Sequence, residues 1–215
     1  MKRLVLLLLV LGIAASLFAQ VLPQHQFASG NWGLSSNRLY QNDANARLAK
    51  VNMQIPQSGT MMYPFNVRYE GGFEDGHGGF GIHIFMDTAF NGASWGAGNS
   101  YLLWLNYDEH PIANSGIPYG LSAQVYKSVN NSTMNMVGNF PLNEYTPYLL
   151  ASGILSQPIP VNIMVNGNTG EVRVYDPTDS TGKFYFYFNL DQRDLPLRGN
   201  WIALRTNGLK ASFGQ

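Results

Sequence analysis

Apolar and polar residues alternate along most of this chain, and the alternation predicts strands rather than helices. In residues 61–73 the apolar side is Phe65, Val67 and Tyr69, and the polar side is Asn66, Arg68 and Glu70. A period of two over this length is typical of a half-buried strand. About eleven or twelve such segments follow one another at intervals of roughly 8–12 residues, with turn residues between them. This spacing predicts an all-β sandwich of two antiparallel sheets.

Residues 78–128 form the centre of this pattern and contain three predicted strands. Their core-facing sides are expected to be Ile82, Ile84 and Met86, then Tyr101, Leu103, Leu105 and Tyr107, then Leu121, Ala123 and Val125. If the 61–73 strand is their neighbour, the opposite sides form one surface. That surface would contain Asn66, Arg68, Glu70, His83, Phe85, Asp87, Trp104, Asn106, Asp108, Ser122, Gln124 and Tyr126.

Several segments outside the centre carry turn or connection signals. Asn166 to Gly170 and the pair Asn207-Gly208 are flanked by strand-like runs, which predicts hairpins. Residues 44–51 are interpreted as a strand or crossover rather than a helix. The proline-rich segment 141–160 is predicted to be a long connection, with one short helix left open.

The N-terminus has the pattern of a bacterial secretory signal peptide. Lys2 and Arg3 precede an apolar run from Leu4 to Phe18, which is shorter than the roughly 20 residues that a membrane-spanning helix needs. We therefore predict a signal peptide at 1–19, a flexible N-terminus at 20–26 and one sandwich domain at 27–215. The product is expected in the periplasm or outside the cell, with no membrane span after cleavage.

Composition narrows the classes of partner. Residues 20–215 carry 11 basic and 13 acidic side chains and no cysteine, so there is no disulfide framework. Nucleic-acid binding is not expected, because it needs clustered Lys and Arg. Sparse charge and frequent aromatic, Gly and Asn residues favour neutral, polar contacts.

The order of these elements resembles the concanavalin A-like lectin and glucanase superfamily. The resemblance covers nearly the whole mature chain and rests on NWGLSSNRLYQ, GGFGIHIFMDT, NSYLLWLNYDE, VNIMVNGNTGEVRVYDP and GNWIALRTNGLKASF. The last two runs are similar to the ending of laminin-G-like domains. The resemblance implies a two-sheet antiparallel jelly-roll whose concave sheet carries the ligand.

The candidate surface contains the residue types that sugars require. Aromatic rings cover the apolar face of a pyranose, while carboxylates and amides bind its hydroxyls. We expect stacking by Phe85, Trp104 and Tyr126 and hydrogen bonding by His83, Asp87, Asn106, Asp108 and Gln124, with Arg68 and Glu70 on the same face. Trp95 lies in a Gly/Asn/Ser loop beside this face, either as a lid over a ligand or as a plug on the sheet. The alternative is a solvated or loop-covered face without a ligand.

Catalysis and metal binding have weaker support in the sequence. The resemblance to glucanases of this superfamily implies an E-x-D-x-E motif on one strand. The matching strands here read H-x-F-x-D and W-x-N-x-D instead. An acid pair displaced to Asp87 with Asp108, or to Glu70 with Asp87, is left open. No cofactor is expected. A structural calcium is left open at Glu74-Asp75, Asp108-Glu109 or Asp176 with Asp179, and the scattered His77, His83 and His110 do not form a zinc motif.

The leading hypothesis is therefore a secreted, non-catalytic module that binds a neutral glycan on one sheet face. The alternative is a structural protein of the cell envelope that uses the same face to contact another protein in a coat, sheath or filament. A glycoside hydrolase is the third hypothesis.

Overall fold

A computed structural model of the chain describes residues 22–72, 75–142, 157–176, 179 and 181–214. Within these ranges the chain forms strands β1 (His25–Ser29), β2 (Trp32–Ser35), β3 (Arg38–Gln41), β4 (Ala49–Gln57), β5 (Thr60–Gly72), β6 (His77–Met86), β7 (Ser100–Asp108), β8 (Gly120–Ser128), β9 (Met134–Pro141), β10 (Ile159–Asn166), β11 (Glu171–Tyr175), β12 (Phe184–Asn189), β13 (Gly199–Asn207) and β14 (Leu209–Gly214). One short 3-10 helix covers Gln192–Asp194. None of the helical structure described is long and apolar enough to cross a membrane.

The strands form two antiparallel sheets of seven strands each. Sheet A has the order β1-β4-β13-β6-β7-β8-β9, and sheet B has the order β12-β11-β10-β5-β14-β3-β2. Their apolar sides face each other and form one core, in which Val51, Ile84, Val125, Val165 and Val172 are fully buried. The predicted all-β, two-sheet jelly-roll is confirmed.

The predicted neighbour of the central strands is wrong. β5 lies in sheet B, whereas β6 lies in sheet A, so the chain changes sheets between Gly72 and His77. The predicted hairpin at Asn207-Gly208 is also a change of sheet, from β13 to β14. Both crossings occur at one corner of the sandwich. A Cβ on Gly72 would lie 2.7 Å from the Cα of Leu209, and a Cβ on Gly208 would lie 2.7 Å from the His77 carbonyl oxygen. Glycine is needed there because two crossings pass in close contact.

Of the other predicted segments, one hairpin is confirmed, one strand has different bounds, and two segments lie at least partly outside the described residues. The 166–170 hairpin is confirmed, since β10 pairs with β11. The strand expected at 44–51 begins at Ala49 and continues to Gln57. Residues 143–156 of the predicted long connection, and residues 1–21 with the predicted signal peptide, lie outside the described residues.

A bulge near the end of β6 reverses the predicted alternation. Phe85 has a φ of +55° and packs in the core between the sheets, whereas Met86 packs on the other side of sheet A with Ala203 and Trp201. The pairing of β13 with β6 shifts here, since Trp201 lies opposite Met86 and Ala203 opposite His83. The predictions that Phe85 faces outward and that Met86 faces the core are therefore wrong. One extra residue in a strand moves every following side chain to the opposite face.

A cavity of about 220 Å³ lies between the two sheets, and its walls include Phe65, Leu103, Ala123, Ile163 and Phe186. Leu142 and Ile159, on either side of the segment 143–156, also line it.

Candidate binding site

The outer face of sheet A, which is the face turned away from sheet B, contains most of the predicted surface. β6, β7 and β8 are adjacent, and their registers place His83 opposite Leu102, Trp104 opposite Gln124 and Asn106 opposite Ser122. Tyr126 lies opposite Leu102 on the same face. The grouping predicted for His83, Trp104, Asn106, Ser122, Gln124 and Tyr126 is therefore confirmed.

Arg68 and Glu70 do not belong to this face. They lie on β5, on the outer side of sheet B, together with Asn66. Arg68 Nε donates to Glu70 Oε1 at 2.8 Å, and Ser212 Oγ donates to the same oxygen at 2.6 Å. The predicted role of Arg68 and Glu70 in the same site as Trp104 is wrong, because the chain changes sheets after Gly72.

Phe85, Asp87 and Asp108 are also removed from the centre of the face. The Phe85 ring is in the core because of the bulge. Asp87 follows the last residue of β6 and accepts a hydrogen bond from the Thr88 amide at 2.8 Å. Asp108 ends β7 and accepts from the His110 amide at 2.8 Å. The two carboxylates lie at opposite ends of sheet A.

Trp104 lies flat on β6 because two glycines make room for its ring. A Cβ on Gly79 would approach the indole to 2.6 Å, and a Cβ on Gly81 would approach it to 2.9 Å. The indole Nε1 donates to Asn106 Oδ1 at 3.1 Å. Trp104 is only 9% exposed and Asn106 only 8%. Trp104 is therefore buried at the base of the face, where we call it the tryptophan floor, and is not an exposed stacking surface.

The polar side chains next to this floor form a chain of hydrogen bonds along β8. Tyr126 Oη donates to Gln124 Oε1 at 2.7 Å, and Gln124 Nε2 donates to Ser122 Oγ at 3.1 Å. Asn139 on β9 donates from its Nδ2 to the carbonyl oxygen of Gly116 in the β7–β8 loop. Asn106 Nδ2 and Asn139 Oδ1 are buried and have no hydrogen-bond partner among the described residues. Asn106 therefore has an unused donor and Asn139 an unused acceptor.

Residues 87–99 connect β6 to β7 and fold over the other part of the face, and we call them the covering loop. Lys50 Nζ donates to the Ser94 carbonyl oxygen, to Ser94 Oγ at 2.7 Å and to the Gly96 carbonyl oxygen at 2.6 Å. Arg205 Nη1 donates to the Trp95 carbonyl oxygen at 2.6 Å. Three successive carbonyl groups of the loop are thus bound by two cations from the sheet.

Lys50, His83 and Arg205 form a group of basic side chains under the covering loop, which we call the cation cluster. Lys50 and Arg205 are opposite each other on β4 and β13. Burial, and then the charge of Arg205, lower the pKa of Lys50 to about 7. Burial lowers the pKa of Arg205 to about 10. Burial and both neighbouring charges hold the pKa of His83 well below its usual value, and His83 Nδ1 contacts Ser100 Oγ at 3.2 Å.

Trp95 is the exposed aromatic side chain of the covering loop. It is 48% exposed, and the guanidinium carbon of Arg205 lies 5.0 Å from its ring centre and 5.4 Å from that of Trp104. Arg205 therefore lies between the two indoles and supports Trp95 by cation–π attraction. Trp95 is neither a plug buried in the sheet nor a free loop residue, because one ring face meets Arg205 and about half of the side chain meets solvent.

Sequence reasoning missed Lys50, Asn52 and Arg205. Their positions could have been found, because Lys50 and Asn52 alternate with Val51 and Met53, and Arg205 alternates with Leu204 and Thr206. The proximity of these residues in space could not be predicted, because β13, from the far end of the chain, is inserted between β4 and β6.

The two acid pairs left open by the sequence, Asp87 with Asp108 and Glu70 with Asp87, do not form. Asp87 and Asp108 are separated by roughly 25 Å, given about 3.3 Å per residue along β7, while glycosidase carboxylates lie within about 10 Å. Glu70 and Asp87 lie on different sheets. Over the described ranges, no three His, Cys, Asp or Glu side chains are placed to hold a metal ion. Glu74 lies outside those ranges, and a structural calcium stays a prediction.

Solved structures share this arrangement of sheets. The legume lectin-like domain from Entamoeba histolytica matches with a TM-score of 0.52 and 12% identity, over 88% of this chain and 85% of that one. The carbohydrate recognition domain of Emp46p, in a metal-free form, matches with a TM-score of 0.50 and 12% identity, over 89% of this chain and 88% of that one. The fold is concanavalin A-like. No protein-family model and no curated protein sequence matches the chain, so this likeness concerns the fold alone.

Proposed function

We propose that this chain is an exported, non-catalytic module that binds a glycan on the outer face of sheet A. One observation carries the proposal. An exposed tryptophan, Trp95, is held over an arginine on this face, beside the tryptophan floor and the unpaired amide of Asn106. An indole with one free face can stack on a pyranose ring, and unpaired buried amide groups can bind its hydroxyls.

The observed contacts assign some of the proposed stacking and hydrogen-bonding roles to residues other than those that the sequence predicted. Trp95 and the half-buried Tyr126 supply the stacking surface, because both rings reach solvent. Trp104 supplies the floor, and Asn106 Nδ2 and Asn139 Oδ1 supply hydrogen bonds. Gln124 mainly orients Tyr126. The fold supports the proposal further, because two of its structural neighbours are described as a lectin-like domain and a carbohydrate recognition domain.

The test is glycan binding by residues 20–215, first on an array of neutral and acidic glycans and then by calorimetric titration. We expect a saturable ligand whose affinity falls about 5- to 30-fold in Trp95→Ala, since loss of one stacking aromatic costs about 1–2 kcal/mol. Tyr187→Ala is the matched control, because Tyr187 is 44% exposed but lies on β12 of sheet B. Glu70→Gln is a second control on sheet B. An array without any saturable ligand contradicts the proposal.

A second candidate, an envelope protein that binds another protein, is favoured by exposed apolar side chains near the same face. Ile112 and Tyr119 of the β7–β8 loop and Val137 of the edge strand β9 are exposed. Chemical crosslinking in intact cells, with the reactive group at Ile112, would give a discrete heterodimer if this candidate is right. Only monomeric chain after crosslinking would contradict it.

A further inference from the structure

Among the residues that the structure describes, the cation cluster has no carboxylate partner. Lys50 and Arg205 are 1% and 2% exposed, and His83 is fully buried. The ion pairs of the described residues all lie elsewhere, for example between Arg68 and Glu70 and between Lys127 and Asp194. Buried charges in proteins are normally paired with opposite charges. Within the described part of the chain, this cluster departs from that rule.

The covering loop neutralises the cluster only in part. Lys50 and Arg205 bind carbonyl oxygens of Ser94, Trp95 and Gly96, which carry dipoles but no net charge. Asp87 and Asp108, at the ends of β6 and β7, accept hydrogen bonds from loop amides. Like charges opposite each other on adjacent strands repel, and Lys50 and Arg205 are in that position.

Polar atoms of the cluster are also unused. Arg205 Nε and His83 Nε2 are buried and have no partner among the described residues. The contacts that Arg205 makes to Trp95 and Met134 both use Nη1. A guanidinium with a free Nε edge is suited to a carboxylate or a sulfate, which it binds by charge-assisted hydrogen bonds.

We propose that the glycan bound on this face is acidic, and that Arg205, with Lys50 behind it, receives a carboxylate or sulfate group of the sugar. This inference rests on the proposed function. The guanidinium carbon of Arg205 lies 5.0 Å from the ring centre of Trp95, on the ring face opposite a stacked sugar, so the acidic substituent reaches it past the edge of the indole. The ligand thereby supplies the negative charge that the described residues do not, and the expectation of a neutral glycan is replaced.

The test compares ligands that differ only in charge. Oligogalacturonides are titrated against their methyl esters, and a sulfated galacto-oligosaccharide against its desulfated form, to separate carboxylate from sulfate recognition. We expect at least one acidic form to bind about tenfold more tightly than its neutral partner, with the difference shrinking as salt increases. This comparison uses the unaltered protein and does not depend on the folding of a variant.

Variants then locate the charge recognition. Arg205→Gln should remove the preference for the acidic form, and Arg205→Lys should retain part of it, each checked for folding by circular dichroism. Arg173→Gln is the matched control, because it removes the same charge from β11 of sheet B. Equal affinity for acidic and neutral partners overturns the inference and leaves the proposed function intact. An acidic preference that survives in Arg205→Gln also overturns it. Absence of any glycan binding contradicts the proposed function itself.

Discussion

Gln57 is the side chain that holds the bulge of β6 in place. Its Oε1 accepts hydrogen bonds from Tyr63 Oη at 2.7 Å and from the Phe85 amide at 2.8 Å. Its Nε2 donates to the Trp201 carbonyl oxygen at 2.8 Å. The residue is buried and thus connects β5 of sheet B with two strands of sheet A. The side-chain amide of Gln57 thus binds the backbone N–H of Phe85 and the carbonyl oxygen of Trp201 at the bulge.

Replacing Gln57 with leucine should strongly destabilise the fold. Gln57→Leu leaves the Phe85 amide, the Tyr63 hydroxyl and the Trp201 carbonyl group without their partner, which costs roughly 2–4 kcal/mol in the free energy of unfolding. Tyr63→Phe removes one of these bonds and no backbone partner, so it should cost only about 1 kcal/mol. Equilibrium unfolding in urea measures both values. Equal stability of the two variants would show that Gln57 does not hold the bulge.

At the scale of elements, the covering loop depends on cations from the sheet below it. Lys50 uses all three of its donors on Ser94 and Gly96, and Arg205 binds the carbonyl oxygen between them. The loop is also tied to the far side of the face, where the Gly96 amide donates to the Asn131 carbonyl oxygen and the Gly98 amide to Asn131 Oδ1. The position of Trp95 therefore depends on contacts from both sides.

Lys50→Met should loosen this loop without unfolding the sandwich. Methionine keeps the length and apolar volume of the side chain but donates no hydrogen bond, so the carbonyl groups of Ser94 and Gly96 lose their partner. Amide hydrogen exchange in residues 94–98 should accelerate at least tenfold, and Trp95 emission should shift to the red. Lys210→Met on β14 is the control and should change neither signal. Unchanged exchange in Lys50→Met would mean that Lys50 does not hold the loop in place.

The lowered pKa of Lys50 also makes a prediction about pH. The folded protein releases this proton near pH 7, while the unfolded chain releases it near 10.4. Between these values the unfolded state binds more protons, so the free energy of unfolding rises with pH, by at most about 1.4 kcal/mol per pH unit. Below pH 7 Lys50 is charged in both states, and the full cost of burying the charge applies.

Unfolding of the wild type and Lys50→Met from pH 7 to 9.5 isolates this contribution. The stability of the wild type should increase relative to that of the variant as pH rises, because other titrating groups are common to both proteins. A constant difference across this range would show that Lys50 keeps an ordinary pKa in the folded protein.

At the scale of the whole molecule, export is the prediction that the sequence supports on its own. The basic residues Lys2 and Arg3, the apolar run to Phe18 and the small residue Ala19 predict cleavage after residue 19. When the full chain is expressed in a bacterium, the exported product should have the mass of residues 20–215. A membrane-bound product with the mass of all 215 residues would contradict this prediction.

Part of the candidate site could be predicted because its residues lie on strands that follow one another in the sequence. His83, Trp104, Asn106, Gln124 and Tyr126 share a face since consecutive strands β6, β7 and β8 are adjacent in sheet A. Alternation within each strand and pairing between neighbours are enough to place them together. Their burial could not be predicted, because it comes from the covering loop and from Trp104 lying on two glycines.

The alternation of residues by itself determined that the chain is all β, that two sheets enclose one core and which side of most strands faces it. These properties follow from the period-two geometry of a strand and the burial of apolar side chains. Only the tertiary structure decided that Arg68 and Glu70 lie on sheet B, that Phe85 faces the core and that Lys50 and Arg205 meet under the loop. The physical reason is that sheet changes, bulges and the insertion of β13 between β4 and β6 depend on contacts between residues far apart in sequence, which no local pattern records.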